Sequence, residues 1–194
     1  MILDFWFGNS ADDVQIFEQK SSLWWRKDEE LDREIESAFS AALKRLIAGQ
    51  LTFWKQDAES LLAMIILADQ FSRNIYRNKA KAFAQDDLAL ALSLEGLESR
   101  IDLKLGIAQR IFFYMPLEHS ESMSMQDRSV EMFEQLCESA PENVRQEIIE
   151  NLDYAIKHRE VIEKFGRFPH RNAILGRESR PEEIEYLKQP GSGF

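Results

Sequence analysis

Residues 61–77 read Leu-Leu-Ala-Met-Ile-Ile-Leu-Ala-Asp-Gln-Phe-Ser-Arg-Asn-Ile-Tyr-Arg, and this stretch decides the fold. Its first eight residues are apolar, and on a helix they would cover every side. A helix that is apolar all round lies inside a domain, so we expect residues 57–76 to form a central, buried helix. A run of eight is too short to cross a bilayer, which needs about 20 residues.

The rest of the chain has helical periodicity, and no segment alternates as a half-buried strand would. We predict one all-α domain over residues 1–194. Short connections favour antiparallel helix pairs in a tetratricopeptide-like helical array of about eight or nine helices. The sequence pattern places eight of them near residues 10–22, 28–48, 57–76, 82–95, 101–115, 124–138, 142–165 and 180–188.

Glycine and proline mark expected helix ends. Gly96 and Gly166 each follow a periodic segment, as a glycine just beyond a helix would. Pro116 should end the helix that precedes it, because proline cannot donate the helical hydrogen bond.

Composition limits the possible partners and location. The chain of 194 residues has a net charge of −10, which argues against nucleic acid and anionic membranes as partners. The single cysteine, Cys137, excludes an internal disulfide and a cysteine-based zinc site. The N-terminus lacks the basic region of a signal peptide. We expect a soluble cytoplasmic protein with no metal and no cofactor.

A first polar cluster closes the central helix. Asp69 precedes Arg73 by four residues, the favourable order for a helical ion pair, and Asn74 follows. A buried, unpaired charge is costly, so these side chains must be paired, hydrated or at a cleft. They form either a structural pair that locks the helix end or part of a ligand site.

A second cluster surrounds Pro116. Arg110 and Tyr114 are four apart and share a helix face, and Glu121 lies on the turn that we expect after the proline. His119 on the same turn is a candidate acid–base group.

The third cluster is Phe165-Gly-Arg-Phe-Pro-His-Arg-Asn172, a turn stiffened by its proline. It holds Arg167, His170, Arg171 and Asn172. Residues 165–180 contain four arginines and one glutamate, so this segment is cationic within an acidic chain. The arginines are either solvated partners of surface carboxylates or the bidentate clamp of a small-anion site.

Arg159 lies within the apolar stripe of helix 142–165, beside positions such as Leu152 and Ala155. An arginine that faces the interior needs a carboxylate or an anionic ligand. We expect it to be buried, with Asp69 or Glu121 as possible partners.

These motifs resemble those of a bacterial family, the domain of unknown function numbered 924, over nearly the whole chain. The resemblance implies an all-α, tetratricopeptide-like fold and no particular activity. Its landmarks coincide with the polar clusters, which favours one shared site. They are Leu3-Asp-Phe-Trp-Phe-Gly8, Trp24-Trp25, Asp69-Gln-Phe-x-Arg73-Asn-Ile-Tyr-Arg77, Tyr114-Met-Pro-Leu-Glu-His-Ser-Glu121, Phe165-Gly-Arg-Phe-Pro-His-Arg-Asn172 and Leu175-Gly-Arg177.

The leading hypothesis is a site for a small anion, phosphate or carboxylate, clamped by Arg73, Arg167 and Arg171. His119 or His170 would be the acid–base group if a reaction occurs. We therefore expect segments 69–76, 114–121 and 165–172 to meet. The alternatives are a helical-repeat module that binds a protein or peptide, and a purely structural polar network. The candidate ligand-binding residues are Asp69, Arg73, Asn74, Arg110, Tyr114, Glu121, Arg159, Arg167, His170, Arg171 and Asn172.

Overall fold

The computed structural model describes residues 1–193, which contain helices and no strand. The fold is all-α, as the sequence predicts. The α-helices in chain order are α1 (Ile2–Phe7), α2 (Asp13–Trp25), α3 (Glu29–Ile47), α4 (Ala58–Ile66), α5 (Ser72–Ile75), α6 (Asp86–Glu98), α7 (Ile107–Glu118), α8 (Met123–Ser139), α9 (Arg145–Phe165), α10 (Asn172–Leu175) and α11 (Pro181–Leu187). The 3₁₀ turns are Thr52–Gln56, Ala80–Phe83, Ile101–Lys104 and Pro169–Arg171.

Helices α4 and α5 belong to one continuous helix, joined by a π-helical segment over Leu67–Phe71. Every residue from Leu61 to Ser72 is buried. The predicted central helix is therefore confirmed, but its middle is wider than an α-helix. A π segment adds a residue to a turn and commonly occurs at functional sites.

The other helices surround this central one. Helix α3 packs against its C-terminal half, whereas α6 and α7 pack against α4. Pairs α6–α7, α7–α8 and α8–α9 pack in succession through short connections, so the arrangement is compatible with a tetratricopeptide-like array. Within residues 1–193, no helix combines the length and apolar character needed to cross a bilayer.

The aromatic N-terminal segment packs into the core beside α7. Trp6, Phe7 and Trp24 each contact the Phe112 ring at centroid distances of 4.9–5.5 Å. The Trp24 indole N–H donates a hydrogen bond of 2.9 Å to the Trp6 carbonyl oxygen. The sequence pattern did not predict α1. These contacts attach it to α2 and α7.

Two of the three expected helix ends differ in the structure. Gly96 lies inside α6, where an added Cβ would stand 2.3 Å from Cζ of Phe113. The glycine therefore permits close approach of α6 and α7 and does not end a helix. Pro116 lies inside α7, which continues to Glu118. Gly166 ends α9 in the left-handed conformation with φ 69°, as predicted.

A buried carboxylate holds the C-terminal segments together. Glu183 in α11 is fully buried and accepts two hydrogen bonds from Arg167, at 2.7 and 2.8 Å. Arg180 donates to it from its guanidinium at 2.8 Å and from its backbone N–H at 2.7 Å. Asn172 Nδ2 adds a contact of 3.2 Å. The Arg167 hydrogen bond, the largest cause, holds the pKa of Glu183 below its usual range.

We predict that Arg167→Gln destabilises the fold, because it removes the bidentate partner of a buried carboxylate that Arg180 and Asn172 satisfy only in part. Urea denaturation of the variant and the wild type measures this change. Arg159→Gln on the surface of α9 is the matched control, expected within about 0.5 kcal/mol of the wild type. Equal effects of the two substitutions would contradict a structural role for Arg167.

Candidate functional site

The three polar segments meet, as we expected from the sequence. His119 Nδ1 lies 2.7 Å from Oδ1 of Asp69. The backbone N–H of Phe168 donates a hydrogen bond of 2.7 Å to Glu121. Arg171 reaches Asp86, the first residue of α6. These contacts connect the central helix, the end of α7 and the turn after α9.

A cleft of about 270 Å³ opens where these segments meet. Half of its lining residues are polar, and they carry both signs of charge. These polar residues come from α6, from the connection after α7 and from the 3₁₀ turn before α10, and they are Asp86, Asp87, His119, Ser120, Glu121 and Arg171.

The other half of the lining residues are apolar, and Phe83 among them stacks on the Arg171 guanidinium. Small pockets of this kind bind ligands through an apolar wall and a few placed polar groups. The apolar lining residues are Ala80, Phe83, Ala84, Leu90, Pro116 and Leu175.

Asp69 lies on the π-helical segment, fully buried behind the cleft. Its carboxylate receives donors from His119 at 2.7 Å, from Gln70 Nε2 at 2.6 Å and from Arg73 Nη1 at 3.1 Å. Burial alone would raise the pKa of this carboxyl, but the charge of Arg73 and the hydrogen bonds from His119 and Gln70 lower it below its usual range. Asp69 is therefore ionised at neutral pH.

His119 follows the last residue of α7 and lines the cleft. Because the Asp69 carboxylate can only accept, Nδ1 of His119 donates, and the neutral ring keeps its lone pair on Nε2. Burial and the charge of Arg73 lower the pKa of His119, against the opposing effect of Asp69. Gln126 fixes this helix end by donating to the carbonyl oxygens of Glu118 and Ser120, at 2.6 and 2.7 Å.

Arg171 is the cation of the cleft and is 6% exposed. Its guanidinium lies between two aromatic rings, 4.5 Å from the Phe168 centroid and 4.8 Å from the Phe83 centroid. Nη1 donates to Asp86 at 3.1 Å, whereas Nε is buried and has no hydrogen-bond partner among the described residues. Burial and then the charge of Arg73 lower the pKa of Arg171 to about 10.

Asp86 connects Arg171 to the buried interior. Arg73 binds Asp86 with two hydrogen bonds of 2.9 and 3.1 Å and also donates to the Asp69 carbonyl oxygen at 2.8 Å. These contacts tie Arg73 to Asp69 and Asp86, and it does not line the cleft. It supports the site from behind rather than facing a ligand.

A buried pair of titratable groups lies next to His119. Glu118 Oε1 stands 3.2 Å from Nδ1 of His158, which donates to the Tyr154 carbonyl oxygen at 2.8 Å. Burial and then Asp69 raise the pKa of Glu118 to about 8. Burial and then His119 lower the pKa of His158 to about 3. Both groups are thus mainly neutral at pH 7.

Several predicted ligand residues lie elsewhere. Asn74 donates to Asp32 on α3 at 2.8 Å and does not line the cleft. Arg110 donates to the Tyr114 hydroxyl at 2.9 Å, and that hydroxyl donates to Asp102 at 2.8 Å. Asn74 therefore connects α5 to α3, whereas Arg110 and Tyr114 connect α7 to Asp102.

Three further residues from the third cluster and α9 are also outside the cleft. Arg159 is about one-third exposed and pairs with Asp127 at 2.7 Å and Glu163 at 3.1 Å, so its predicted burial is wrong. Its proposed partners Asp69 and Glu121 bind other groups. Arg167 and Asn172 belong to the Glu183 cluster.

The two candidate histidines differ in position. His119 lines the cleft, whereas His170 does not and packs on the Phe168 ring at 5.6 Å. Burial and then the charge of Arg171 lower the pKa of His170 to about 4. Glu121 lines the cleft, and Arg177 holds it with hydrogen bonds of 2.7 and 2.9 Å.

Sequence reasoning missed Phe83, Asp86 and Asp87. Two acidic residues at the start of a helix are common because they complement its dipole, so this pair gave no distinct signal. A search for carboxylates able to share two buried arginines could have drawn attention to Asp86. Among the described residues, no group of three His, Cys, Asp or Glu side chains is arranged to hold a metal ion.

Glu118→Gln should reveal the neutral buried carboxyl. The folded-state pKa of about 8 exceeds the ordinary 4.5, so the stability that the proton provides is present below pH 4.5 and is lost as pH rises through 8. Relative to the wild type, the variant should gain on the order of 2–4 kcal/mol between pH 5 and pH 8.5 in urea denaturation. The exposed control Glu160→Gln should gain nothing, and a pH-independent difference for Glu118→Gln would refute the assignment.

Comparison with known proteins places the chain in a family. A profile described as "Bacterial protein of unknown function (DUF924)" matches residues 2–191. A search of curated proteins finds no match. The chain is similar to the solved structure titled "Structure of Protein of Unknown Function ATU0120 from Agrobacterium tumefaciens", at 34% identity and a TM-score of 0.79, with 91% of this chain and 95% of that chain covered. The protein therefore belongs to the bacterial DUF924 family.

Proposed function

We propose that the cleft binds a small organic molecule through a carboxylate or phosphate group, and that Arg171 is its anchor. The observation that carries this proposal is the partial hydrogen bonding of a buried guanidinium. Arg171 uses Nη1 on Asp86 and leaves its buried Nε without a partner in the described chain. A guanidinium carries five N–H donors, and an anion in the cleft would accept from those that Asp86 leaves unused.

Volume favours a small molecule over a peptide. The cleft of about 270 Å³ is slightly smaller than the usual range for ligand pockets, roughly 300–1,000 Å³. A helical-repeat module would present a longer concave surface to a peptide. The structural alternative suits Arg167 and Arg73, whose carboxylate partners are in place, better than Arg171.

His119 supplies the acid–base group of the proposed site. Asp69 orients its ring and fixes the proton on Nδ1, which leaves the lone pair on Nε2 of a residue that lines the cleft. A neutral imidazole held by a buried carboxylate is suited to accept a proton or a hydrogen bond from such a ligand. Any reaction in the cleft would therefore use His119 as base.

The proposal predicts an anion-dependent gain in the melting temperature of the wild type. We would titrate inorganic phosphate, sulfate and a panel of small carboxylates and phosphorylated compounds. A ligand at 100 times its dissociation constant should add about 2.7 kcal/mol to the unfolding free energy. Arg171→Gln should lose this response, because the amide replaces the charged donor.

Two further variants make the result specific. Arg171→Lys retains the charge without the planar fork and should respond weakly. Arg159→Gln removes an exposed arginine outside the cleft and should respond as the wild type does. The proposal fails if no anion stabilises the wild type, or if Arg171→Gln keeps the full response.

A further inference from the structure

We infer that the ligand carries a cationic amino group beside its anionic group, and that Asp87 binds this amino group. The inference rests on the proposed function, in which Arg171 anchors the anion. It narrows the ligand from any carboxylate or phosphate to a small zwitterion, such as an amino acid or another amino-carboxylate.

Charge balance in and behind the cleft is the first argument. The histidines and Glu118 are mainly neutral near pH 7. Among the groups that line the cleft or bind its lining residues, four carboxylates then face three guanidiniums, so one carboxylate has no matching cation in this set. The ionised groups are the carboxylates Asp69, Asp86, Asp87 and Glu121 and the guanidiniums Arg73, Arg171 and Arg177.

This balance disfavours a strongly anionic ligand. A dianionic phosphate would leave the cleft and its ligand with three excess negative charges, and a simple carboxylate would leave two. A zwitterion would leave the excess at one. Like charges held close together in a partly desolvated site repel, so the zwitterion has the smallest electrostatic cost.

Asp87 is the unmatched carboxylate. It lines the cleft from the second position of α6, whereas Asp86 beside it is bound by Arg73 and Arg171. Asp87 forms no ion pair with a described residue and is exposed. The guanidinium of Arg171 lines the same cleft, is 6% exposed and donates a single hydrogen bond to the protein, which independently indicates a ligand, so Asp87 is more than an acidic residue at a helix start.

The remaining walls accommodate the rest of such a molecule. Phe83, Leu90 and Pro116 offer an apolar surface. An amino acid with a modest apolar side chain would contact this surface while its two charged groups face Arg171 and Asp87. Its size also suits a cleft of about 270 Å³.

Matched ligand pairs test the inference. We would measure affinity by isothermal titration calorimetry for alanine and propionate, leucine and 4-methylpentanoate, and phenylalanine and 3-phenylpropionate. In at least one pair the amino acid should bind the wild type about tenfold more tightly than its desamino partner. Amino acid methyl esters, which lack the anion, should bind more weakly than the amino acids.

Asp87→Asn should bring the affinities of each pair to within about threefold, a difference below 1 kcal/mol. The exposed control Asp153→Asn on α9 should keep the wild-type preference. If the carboxylates bind as tightly as the amino acids, or if only phosphate binds, the zwitterion inference is overturned and the anion site survives. If no compound binds through Arg171, both proposals fail.

Discussion

The ionised carboxylate of Asp69, held in the apolar centre of the molecule, is the constraint on which the cleft depends. A charge removed from water must be met by donors, and each donor here brings a separate part of the chain with it. His119 brings the end of α7. Arg73 brings Asp86 and the start of α6, and Asp86 in turn holds Arg171 from the turn after α9. One buried charge thus fixes the relative positions of four segments.

The arginines at Glu183 and the arginines at the cleft differ in how many carboxylate oxygens are available to accept their hydrogen bonds. The Glu183 carboxylate accepts hydrogen bonds from Arg167, Arg180 and Asn172. Arg167 and Arg180 therefore have a structural role, which is to hold α11 against the turn after α9. At the cleft the reverse holds, because Asp86 is shared by Arg73 and Arg171 and cannot satisfy both guanidiniums. Full satisfaction would serve stability better, since a buried donor without a partner is costly. The shortage of acceptors at Arg171 therefore favours a ligand over a purely structural role.

The sequence was sufficient for features that follow from local pattern. The apolar run 61–68 could only be buried, and three polar clusters at the ends of apolar helices had to share an interior edge. The sequence could not show which carboxylate each arginine binds, because 34 acidic residues are available and residue type cannot select among them. Arg159 illustrates a related limit: a modest rotation of α9 on its neighbours carries it to the surface, where Asp127 binds it. Pro116 was misjudged because the packing around α7 outweighs the local preference of proline.

The same burial that makes the interior unfavourable for charge also sets the protonation of the proposed base. Glu118 lies close to Asp69 and His158, and if it were ionised it would raise the proton affinity of His119. Burial keeps Glu118 protonated, so Asp69 is the principal carboxylate acting on the imidazole, opposed by the charge of Arg73. His119 is therefore neutral at physiological pH while its tautomer is fixed by Asp69. An imidazole in that state has a lone pair directed away from Asp69, which is the property that a base in the cleft requires.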